Sequence, residues 1–286
     1  MLFFQSMPVC GYDWWFRAGF EYACCLSFAL FAVFVFGSCW GSFMNVCIWR
    51  MPRRESVVTA PSHCTTCGAD IRWYDNLPVI SYLVLRGKCR ACRTHYSCRY
   101  FVVELVMGLL FCAVFIKAGL TQQVPGMLAN YWITLLFAVA AAWIDAQHRI
   151  IPDALNYPAM LLGLVSAALL PEIWGVTVWY KGMACALIAG LVPGIFLAIF
   201  SLLGEFFTGQ EVLGWGDVKF VTACAVLLGV PGAFFMILAG SLAGCLYGVI
   251  YARVKKQPLK GCSIPFGPFL AGGAVLWIFA GNFILR

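Results

Sequence analysis

Charge is what this sequence has least of. Only 11% of the 286 residues are charged, whereas 63% are hydrophobic and 16% are aromatic, and the mean hydropathy is +0.88. A water-soluble protein of this length could not hide so much apolar surface from solvent. The composition therefore excludes a soluble globular enzyme and predicts a polytopic membrane protein.

Two sequence patterns are also absent. No strongly basic leader with a small-residue cleavage site precedes the first apolar run, so we expect residues 1–24 to be a non-cytoplasmic segment and residues 25–48 an uncleaved first transmembrane helix. The pattern G-x-G-x-x-G at a strand-to-helix turn is missing as well. A Rossmann-type cofactor site is therefore not predicted.

Eight apolar runs approach or reach the roughly 17 to 25 residues that cross about 30 Å of hydrocarbon. They cover residues 25–48, 101–118, 127–145, 153–171, 182–203, 217–230, 232–252 and 264–285. The sixth run is short, and Val230-Pro231-Gly232 follows it, so the sixth and seventh could instead form one broken hairpin. We predict an all-α polytopic membrane protein of about eight transmembrane helices, with residues 101–286 as its core.

The positive charges are distributed unevenly between the predicted loops. With the N-terminus outside, 15 of the 19 Lys and Arg residues fall on the inner side, and those outside are Arg17, Lys117, Lys181 and Arg286. Short loops rich in Lys and Arg remain in the cytoplasm. The net charge of +7 is therefore a topology signal that also suits contact with anionic lipid headgroups, and nucleic acid is not needed to explain it.

Residues 49–100 form one polar segment between the first two runs. It contains two C-x-x-C pairs, Cys64 with Cys67 and Cys89 with Cys92, separated by 21 residues. Four thiolates at such spacing can close a tetrahedron around zinc, which leaves no coordination position for water. We predict a small cytosolic zinc-ribbon-like domain in which zinc is structural.

Other interpretations of this segment stay open. Two disulfides or a thiol redox pair would use the same cysteines, although a reducing cytoplasm disfavours stable disulfides. His63 and His95 flank the pairs and are either substitute ligands or surface imidazoles. Gly68 can adopt the positive φ that lets a tight turn direct backbone amides at sulfur.

Two aspartates stand at the ends of apolar runs. Asp145 ends the third run, and Asp217 opens the sixth within Gly214-Trp215-Gly216-Asp217. An ionisable side chain at membrane depth is costly, which makes it a candidate functional residue. The predicted topology depends only on the apolar runs and on the positions of Lys and Arg, and it places both carboxyls at the cytoplasmic border.

A carboxyl pair is suited to hydrolysis by activated water. One ionised aspartate takes a proton from water while its protonated neighbour donates to the carbonyl oxygen, because two close carboxyls share a single proton. Gly214 and Gly216 would let the chain unwind and let an extended peptide approach. The alternative is that Asp145 and Asp217 pair with Lys219 or Arg149 and only satisfy helix ends.

Three further polar residues are candidates for supporting roles. Asp153 follows Pro152 at a predicted helix start, where an acid suits the positive end of the helix. Asn45 could cap or cross-link helices, and Glu104 could pair with an Arg of the loop. For both, a structural role and a functional role remain equally open.

Several blocks of sequence resemble the bifunctional type IV prepilin peptidases and N-methyltransferases. In chain order they are residues 41–46 with Arg50 and Pro52, the four cysteines, residues 78–82, Arg99-Tyr100, residues 103–105, Ile144-Asp145, Pro152-Asp153, Gly214-x-Gly216-Asp217-x-Lys219 and residues 265–268. Trp49 and Met51 depart from the residues common in the family, and Trp215 fills a variable position. No acid and no cysteine ligand is lost by these departures.

The resemblance implies what the residue pattern alone leaves open. Asp145 and Asp217 would be the catalytic aspartates, as in the G-x-G-D membrane proteases. The substrates would be prepilins and pseudopilins of pilus and type II secretion systems, whose basic leader ends in Gly and is cut at the cytoplasmic face of the inner membrane. S-adenosylmethionine would methylate the new N-terminus, with Gly87 and Lys88 contributing to its site, or with Gly87 serving only as a turn.

Two other functions fit the residues without the resemblance. The first is a membrane-tethered zinc-ribbon protein that binds a partner and whose aspartates are structural. The second is a thiol-disulfide carrier that uses the C-x-x-C pairs.

Overall fold

The computed structural model describes residues 12–59, 61–121, 124–255 and 264–284. Residues 1–11 of the predicted N-terminal segment lie outside this range, as do Lys256, Lys260 and Arg286. The described part is helical and contains no strand, which confirms the all-α prediction. Its helices are α1 (Tyr12–Arg50), α2 (Ile80–Leu85), α3 (Arg99–Thr121), α4 (Pro125–His148), α5 (Asp153–Leu169), α6 (Trp179–Thr208), α7 (Trp215–Lys255) and α8 (Gly267–Ile284).

Helix α1 is longer than the predicted first run, since it begins at Tyr12 rather than at residue 25. No proline interrupts the sequence between Pro8 and Pro52, and proline is the residue that most strongly breaks a helix. The charged residues Asp13, Arg17 and Glu21 lie in the first turns of this helix, before the apolar run begins. The apolar run and the helix therefore have different boundaries here.

Five of the described helices are long and apolar enough to cross a membrane. These are α1, α3, α4, α6 and α7, and α5 and α8 are shorter apolar helices. The predicted number of eight transmembrane helices is not confirmed by this count. The difference of three arises in α5 and α8, which are counted as shorter helices, and in α7, which joins two predicted runs.

Helix α7 reverses direction at Gly229, whose φ of 81° and ψ of 169° are not helical. Before the bend, Thr222 packs against Gly194 of α6, and after it the Phe234 ring lies 5.5 Å from that of Phe196. Two residues twelve apart in α7 thus reach the same turn of α6. The segment is a hairpin of two helices, which is the alternative that the Val230-Pro231-Gly232 sequence suggested.

The buried core is formed where α4 is surrounded by α1, α3, α7 and α8. Its largest fully buried side chains include Phe111 of α3, Ile144 of α4, Phe220 of α7 and Leu270 of α8. Glycines allow the close approach, since a Cβ at Gly41 of α1 would come within 2.8 Å of the α3 backbone. This packing fixes the ends of α4, α7 and α8 relative to one another.

The segment between α1 and α3 contains α2 and carries its cysteine pairs on two similar turns, without a β-strand in its described residues. In each turn an amide closes onto the first cysteine, from Gly68 to Cys64 O at 2.9 Å and from Arg93 to Cys89 O at 3.0 Å. Gly68 and Arg93 both have positive φ, and each turn is closed by one isolated β-bridge. The two C-x-x-C pairs are therefore built on the same local geometry.

Candidate active site

Asp145 lies three residues before the end of α4 and is buried, with 6% of its surface exposed. Its Oδ2 accepts a hydrogen bond from the Gly267 N–H over 2.7 Å. Gly267 is the first residue of α8, so its amide has no partner within its own helix. The start of α8 therefore holds the Asp145 carboxyl in place.

Gly267 permits this contact because it has no side chain. A Cβ at this position would lie 2.9 Å from both the Cβ and the Oδ2 of Asp145. Gly267 is not among the site residues predicted from the sequence, although residues 265–268 form one block of the family resemblance. Two prolines flanking Phe266-Gly267 before an apolar run were the available signal for a helix start at this position.

Asp217 lies in the first turn of α7 and is half-buried. Gly216 brings this turn close to the chain that follows α4, since a Cβ there would lie 3.3 Å from both Cβ and O of Ile151. Neither Gly214 nor Gly216 has a positive φ. The role that the structure shows for Gly216 is thus close approach, whereas the predicted unwinding at these glycines stays a prediction.

The ends of α4 and α7 bring Asp145 and Asp217 together, close enough for the two charges to act on each other. The ion pairs in the described part of the chain are Arg90 with Asp75 and Lys219 with Asp153. Neither Lys219 nor Arg149 therefore forms a salt bridge with Asp145 or Asp217, although the Arg149 charge acts on Asp145 at longer range. The two aspartates thus lie within electrostatic range of each other, as acid and base catalysis by a carboxyl pair requires.

Lys219 instead joins α7 to the start of α5. Its Nζ donates to both oxygens of Asp153, over 2.7 and 2.8 Å, and lies 5.6 Å from the centre of the Tyr157 ring. Both charged side chains are partly solvated, so the pair contributes at most about 1 kcal/mol to stability. Its effect is positional, because Lys219 is two residues from Asp217.

Asn45 and Glu104 lie where the end of α1 meets the start of α3. Asn45 Nδ2 donates to Tyr100 O over 3.0 Å, and Glu104 accepts the Val79 N–H over 2.8 Å as well as a hydrogen bond from Ser42. Val79 immediately precedes α2. Glu104 therefore connects α2 to α3, and with it the segment between α1 and α3 to the helix bundle.

A cavity of about 760 Å³ separates the two cysteine turns from these helix ends. Lys88 lies on its wall together with Cys64, Cys89, Asn45 and Glu104. Gly87 has a φ of +65°, and a Cβ there would lie 2.9 Å from the Tyr82 hydroxyl, so its observed role is to form the turn before the second cysteine pair. Of the two residues that the resemblance implies for the methyl-donor site, Lys88 therefore lines the cavity, whereas Gly87 forms the adjacent turn.

The four Sγ atoms of Cys64, Cys67, Cys89 and Cys92 lie within 4.8 Å of one another and could hold a metal ion. The Cys64 and Cys92 Sγ atoms are 3.8 Å apart, far beyond the roughly 2.05 Å of a disulfide. Hydrogen bonds from Thr94 lower the pKa of Cys92 to about 6, and the Cys67 and Thr66 amides lower the pKa of Cys64. His63 and His95 are not part of this cluster.

Arg90 stabilises the turn that carries Cys89 and Cys92. Its guanidinium donates to both Asp75 oxygens, and this hydrogen bond holds the pKa of Asp75 below its ordinary value. Asp75 and Arg90 also line the cavity. The pair therefore ties the segment before α2 to the turn that carries Cys89 and Cys92.

Comparison with known proteins gives two matching family models. Residues 35–118 match the bacterial peptidase A24 N-terminal domain, and residues 132–249 match the type IV leader peptidase family. The first match contains the cysteine cluster, Asn45 and Glu104, and the second contains both aspartates. No solved structure matches the chain significantly.

Curated relatives match over most of the chain. A prepilin leader peptidase/N-methyltransferase of Pseudomonas putida is 34% identical, and the match covers 87% of this chain and 91% of the relative. Proteins of the same description from Pseudomonas aeruginosa and Neisseria gonorrhoeae are 32% and 31% identical, over 86% and 89% of this chain and 88% and 91% of the relatives.

Proposed function

This chain belongs to the type IV leader peptidase family, and on that premise we propose that Asp145 and Asp217 are its catalytic pair. The protein is a prepilin leader peptidase that also N-methylates its product. The observation that carries the assignment of the site is the convergence of the two carboxyls, each from the end of a different helix, without a salt bridge to a cation in the described part of the chain.

The geometry supports hydrolysis by a water molecule held between the carboxyls. One carboxylate takes a proton from this water, and the protonated partner donates to the oxygen of the scissile carbonyl. The Gly267 amide orients Asp145 before the substrate arrives, which lowers the cost of reaching the reactive geometry. Lys219 and Asp153 support the first turn of α7 from the other side.

We propose that the membrane is crossed eight times. The Gly229 bend supports this, because α7 has 41 residues, about 60 Å of helix, which is twice the hydrocarbon thickness. Lys117 and Lys181 lie toward the end where Gly229 bends, whereas most other described cations lie toward the aspartates. By the positive-inside rule, the aspartates and the cysteine segment lie on the cytoplasmic side of the membrane. The membrane would be the inner membrane of a bacterium.

That orientation suits the proposed substrates, prepilins and pseudopilins. A pilin helix held in lipid would bring the junction with its leader to the membrane border, where water and the two carboxyls meet. A peptide bond within a helix is protected by the helix's own hydrogen bonds, so the junction must be extended when it is cut. Leader cleavage after Gly, as the resemblance implies, supplies a residue that extends readily.

We propose that the metal held by the four cysteines is zinc. A tetrahedron with Zn–S bonds of about 2.3 Å has edges of about 3.8 Å, and the Cys64 and Cys92 sulfurs are 3.8 Å apart. Four thiolates fill the coordination shell, so the ion stabilises the segment and takes no part in hydrolysis. The site is distinct from the aspartates at the ends of α4 and α7.

The cavity between the cysteine turns and the helix ends fits a methyl donor. Its volume of about 760 Å³ is in the range of small-molecule sites, and it holds a buried Arg99 Nε and a buried Asn45 Oδ1 that have no partner in the described structure. Arg99, Lys88 and Glu104 offer charges of both signs to a zwitterionic ligand. S-adenosylmethionine, when bound, supplies an electrophilic methyl group.

The experiment that tests this function follows both reactions on one substrate. Purified enzyme is incubated with a prepilin and a labelled methyl donor, and the products are resolved by mass. We expect Asp217→Asn to abolish leader removal while metal content stays at the wild-type level. The matched control is Glu205→Gln, an exposed acid near the end of α6, which should cleave normally. Normal cleavage by Asp217→Asn would contradict the assignment.

A further inference from the structure

Glu104 is a buried carboxyl that no cation faces in the described part of the chain. Only 8% of its surface is exposed, and its hydrogen-bond donors are the neutral Val79 amide and Ser42. The ion pairs of the described residues involve Asp75 and Asp153 instead. A buried carboxylate is costly unless a positive group pairs with it, so a cationic ligand would stabilise the charged form of Glu104.

Asn45 places a second acceptor on the wall of the same cavity. The side chain is 1% exposed, and donation from Nδ2 to Tyr100 O fixes which way the amide points. Its Oδ1 is buried and receives no hydrogen bond from the residues that the structure describes. Asn45 is one turn from Gly41, which packs on Glu104, so the two acceptors lie on neighbouring turns and both line the cavity.

We propose that Glu104 and Asn45 bind a primary α-ammonium group inside this cavity. A carboxylate and an amide oxygen together accept two of the three N–H bonds of such a group, and the charge-assisted bond to Glu104 is the stronger one. The inference rests on the proposed methyltransferase site. Both substrates of that reaction carry this group, the methyl donor in its amino-acid part and the cleaved pilin at its new N-terminus.

The position of the cavity connects it to the peptidase site. Gln147 lines it, lies two residues after Asp145, and accepts a hydrogen bond from Arg99 over 3.5 Å. The cavity and the two aspartates thus lie at the same end of α4, on different sides of that helix, because side chains two residues apart do not face each other. A pilin N-terminus released at Asp145 and Asp217 would pass around the end of α4 to reach the cavity. If that is the bound ammonium, it passes one proton to Glu104, its freed lone pair forms the nitrogen–methyl bond, and the broken methyl–sulfur bond leaves its electron pair on sulfur.

The test compares Glu104→Gln with Glu205→Gln. Glutamine retains an acceptor for the Val79 amide and removes only the charge, whereas Glu205 is an exposed acid of α6 that does not line the cavity. Leader removal and methyl transfer are measured for each full-length variant. Affinity is measured separately for S-adenosylhomocysteine and for methylthioadenosine, which lacks the amino-acid part.

We expect Glu104→Gln to remove leaders at the wild-type rate and to lose methyl transfer by roughly ten- to hundredfold, the effect of one charge-assisted hydrogen bond. An equal loss of affinity for S-adenosylhomocysteine, but not for methylthioadenosine, identifies the donor's ammonium. Unchanged affinity for both ligands identifies the ammonium of the pilin. Either result supports the pair as an ammonium site.

Three results would overturn it. Methyl transfer by Glu104→Gln within twofold of wild type, an equal loss in Glu205→Gln, or a parallel loss of leader removal would each show that the Glu104 charge is not used in this way. A wild-type enzyme that transfers no methyl group would instead contradict the proposed methyltransferase site, so the two failures are distinguishable.

Discussion

At the scale of single residues, the site depends on a carboxyl and an amide that are far apart in sequence. The Gly267 N–H meets Asp145 across 122 positions, and the fit is close enough that a methyl group at Gly267 would collide with the carboxyl. In the described structure, the Asp217 carboxyl accepts no comparable hydrogen bond from a backbone amide. Precision at this site therefore depends on the start of α8 as much as on the two aspartates.

Gly267→Ala should reduce leader removal sharply. The added Cβ would displace the Asp145 carboxyl, and an error of about 1 Å in a catalytic group can cost roughly a hundredfold in rate. Methylation of a pilin that has already lost its leader should be unaffected, because the cavity is formed by other residues. Gly272→Ala is the control, since nothing lies within 4 Å of a Cβ at that position of α8. Equal cleavage rates for both variants would show that the contact has no catalytic importance.

At the scale of elements, the bend of α7 leaves the carbonyl oxygen of Leu227 without a hydrogen-bond donor from its own helix. Leu227 O would normally accept the N–H of the residue four positions later, which is Pro231 and has none. Asn130 of α4 supplies Nδ2 instead, over 3.2 Å, and its Oδ1 accepts from Ser166 of α5. One buried amide thus links three helices at the bend.

Asn130→Leu should destabilise the protein by about 1 to 3 kcal/mol, because it leaves buried groups of Leu227 and Ser166 without partners. Unfolding in detergent, followed by heat or denaturant, measures the change. Asn156→Leu is the matched comparison: this asparagine is equally buried, but neither atom of its amide has a partner in the described structure. We expect little loss from it, and equal destabilisation by the two changes would refute the role given to Asn130.

The cysteine cluster is a second element whose stability can be tested separately. Cys64→Ser or Cys89→Ser should lower metal content and protein yield, and should reduce methyl transfer more than leader removal because both cysteines line the cavity. Metal analysis of the purified variants checks this. Cys98→Ser, which changes an exposed cysteine outside the cluster, should behave as wild type. Full metal content in both cluster variants would reject a structural metal site.

At the scale of the whole molecule, the sequence predicted the features that local composition controls. Except at the start of α1, apolar runs predicted the helices to within a few residues, and the spacing of Cys64, Cys67, Cys89 and Cys92 predicted their cluster. Contacts between distant segments could not be read in this way. The contacts of Asp145 with Gly267 and of Glu104 with Val79 depend on how the helices pack. The sequence therefore predicted Asp145 and Glu104 as candidates but not the residues that they contact.

The number of membrane crossings is the whole-molecule prediction. Reporter enzymes active only outside the cytoplasm can be fused after residue 210, after residue 230 and after Lys255. A hairpin at Gly229 predicts activity for the middle fusion alone, because α7 begins and ends on the same side. Activity of the last fusion together with an inactive middle one would mean that α7 crosses the membrane in another way.

The most direct test is a mutant cycle on leader removal. Cleavage rates are measured for Asp145→Asn, Asp217→Asn and the double variant, with Glu205→Gln as the control. Two carboxyls that share one proton and one water act as a unit, so the double variant should be no slower than either single variant. A double variant slowed by the product of the two single effects would show that the carboxyls work independently, which contradicts a catalytic pair.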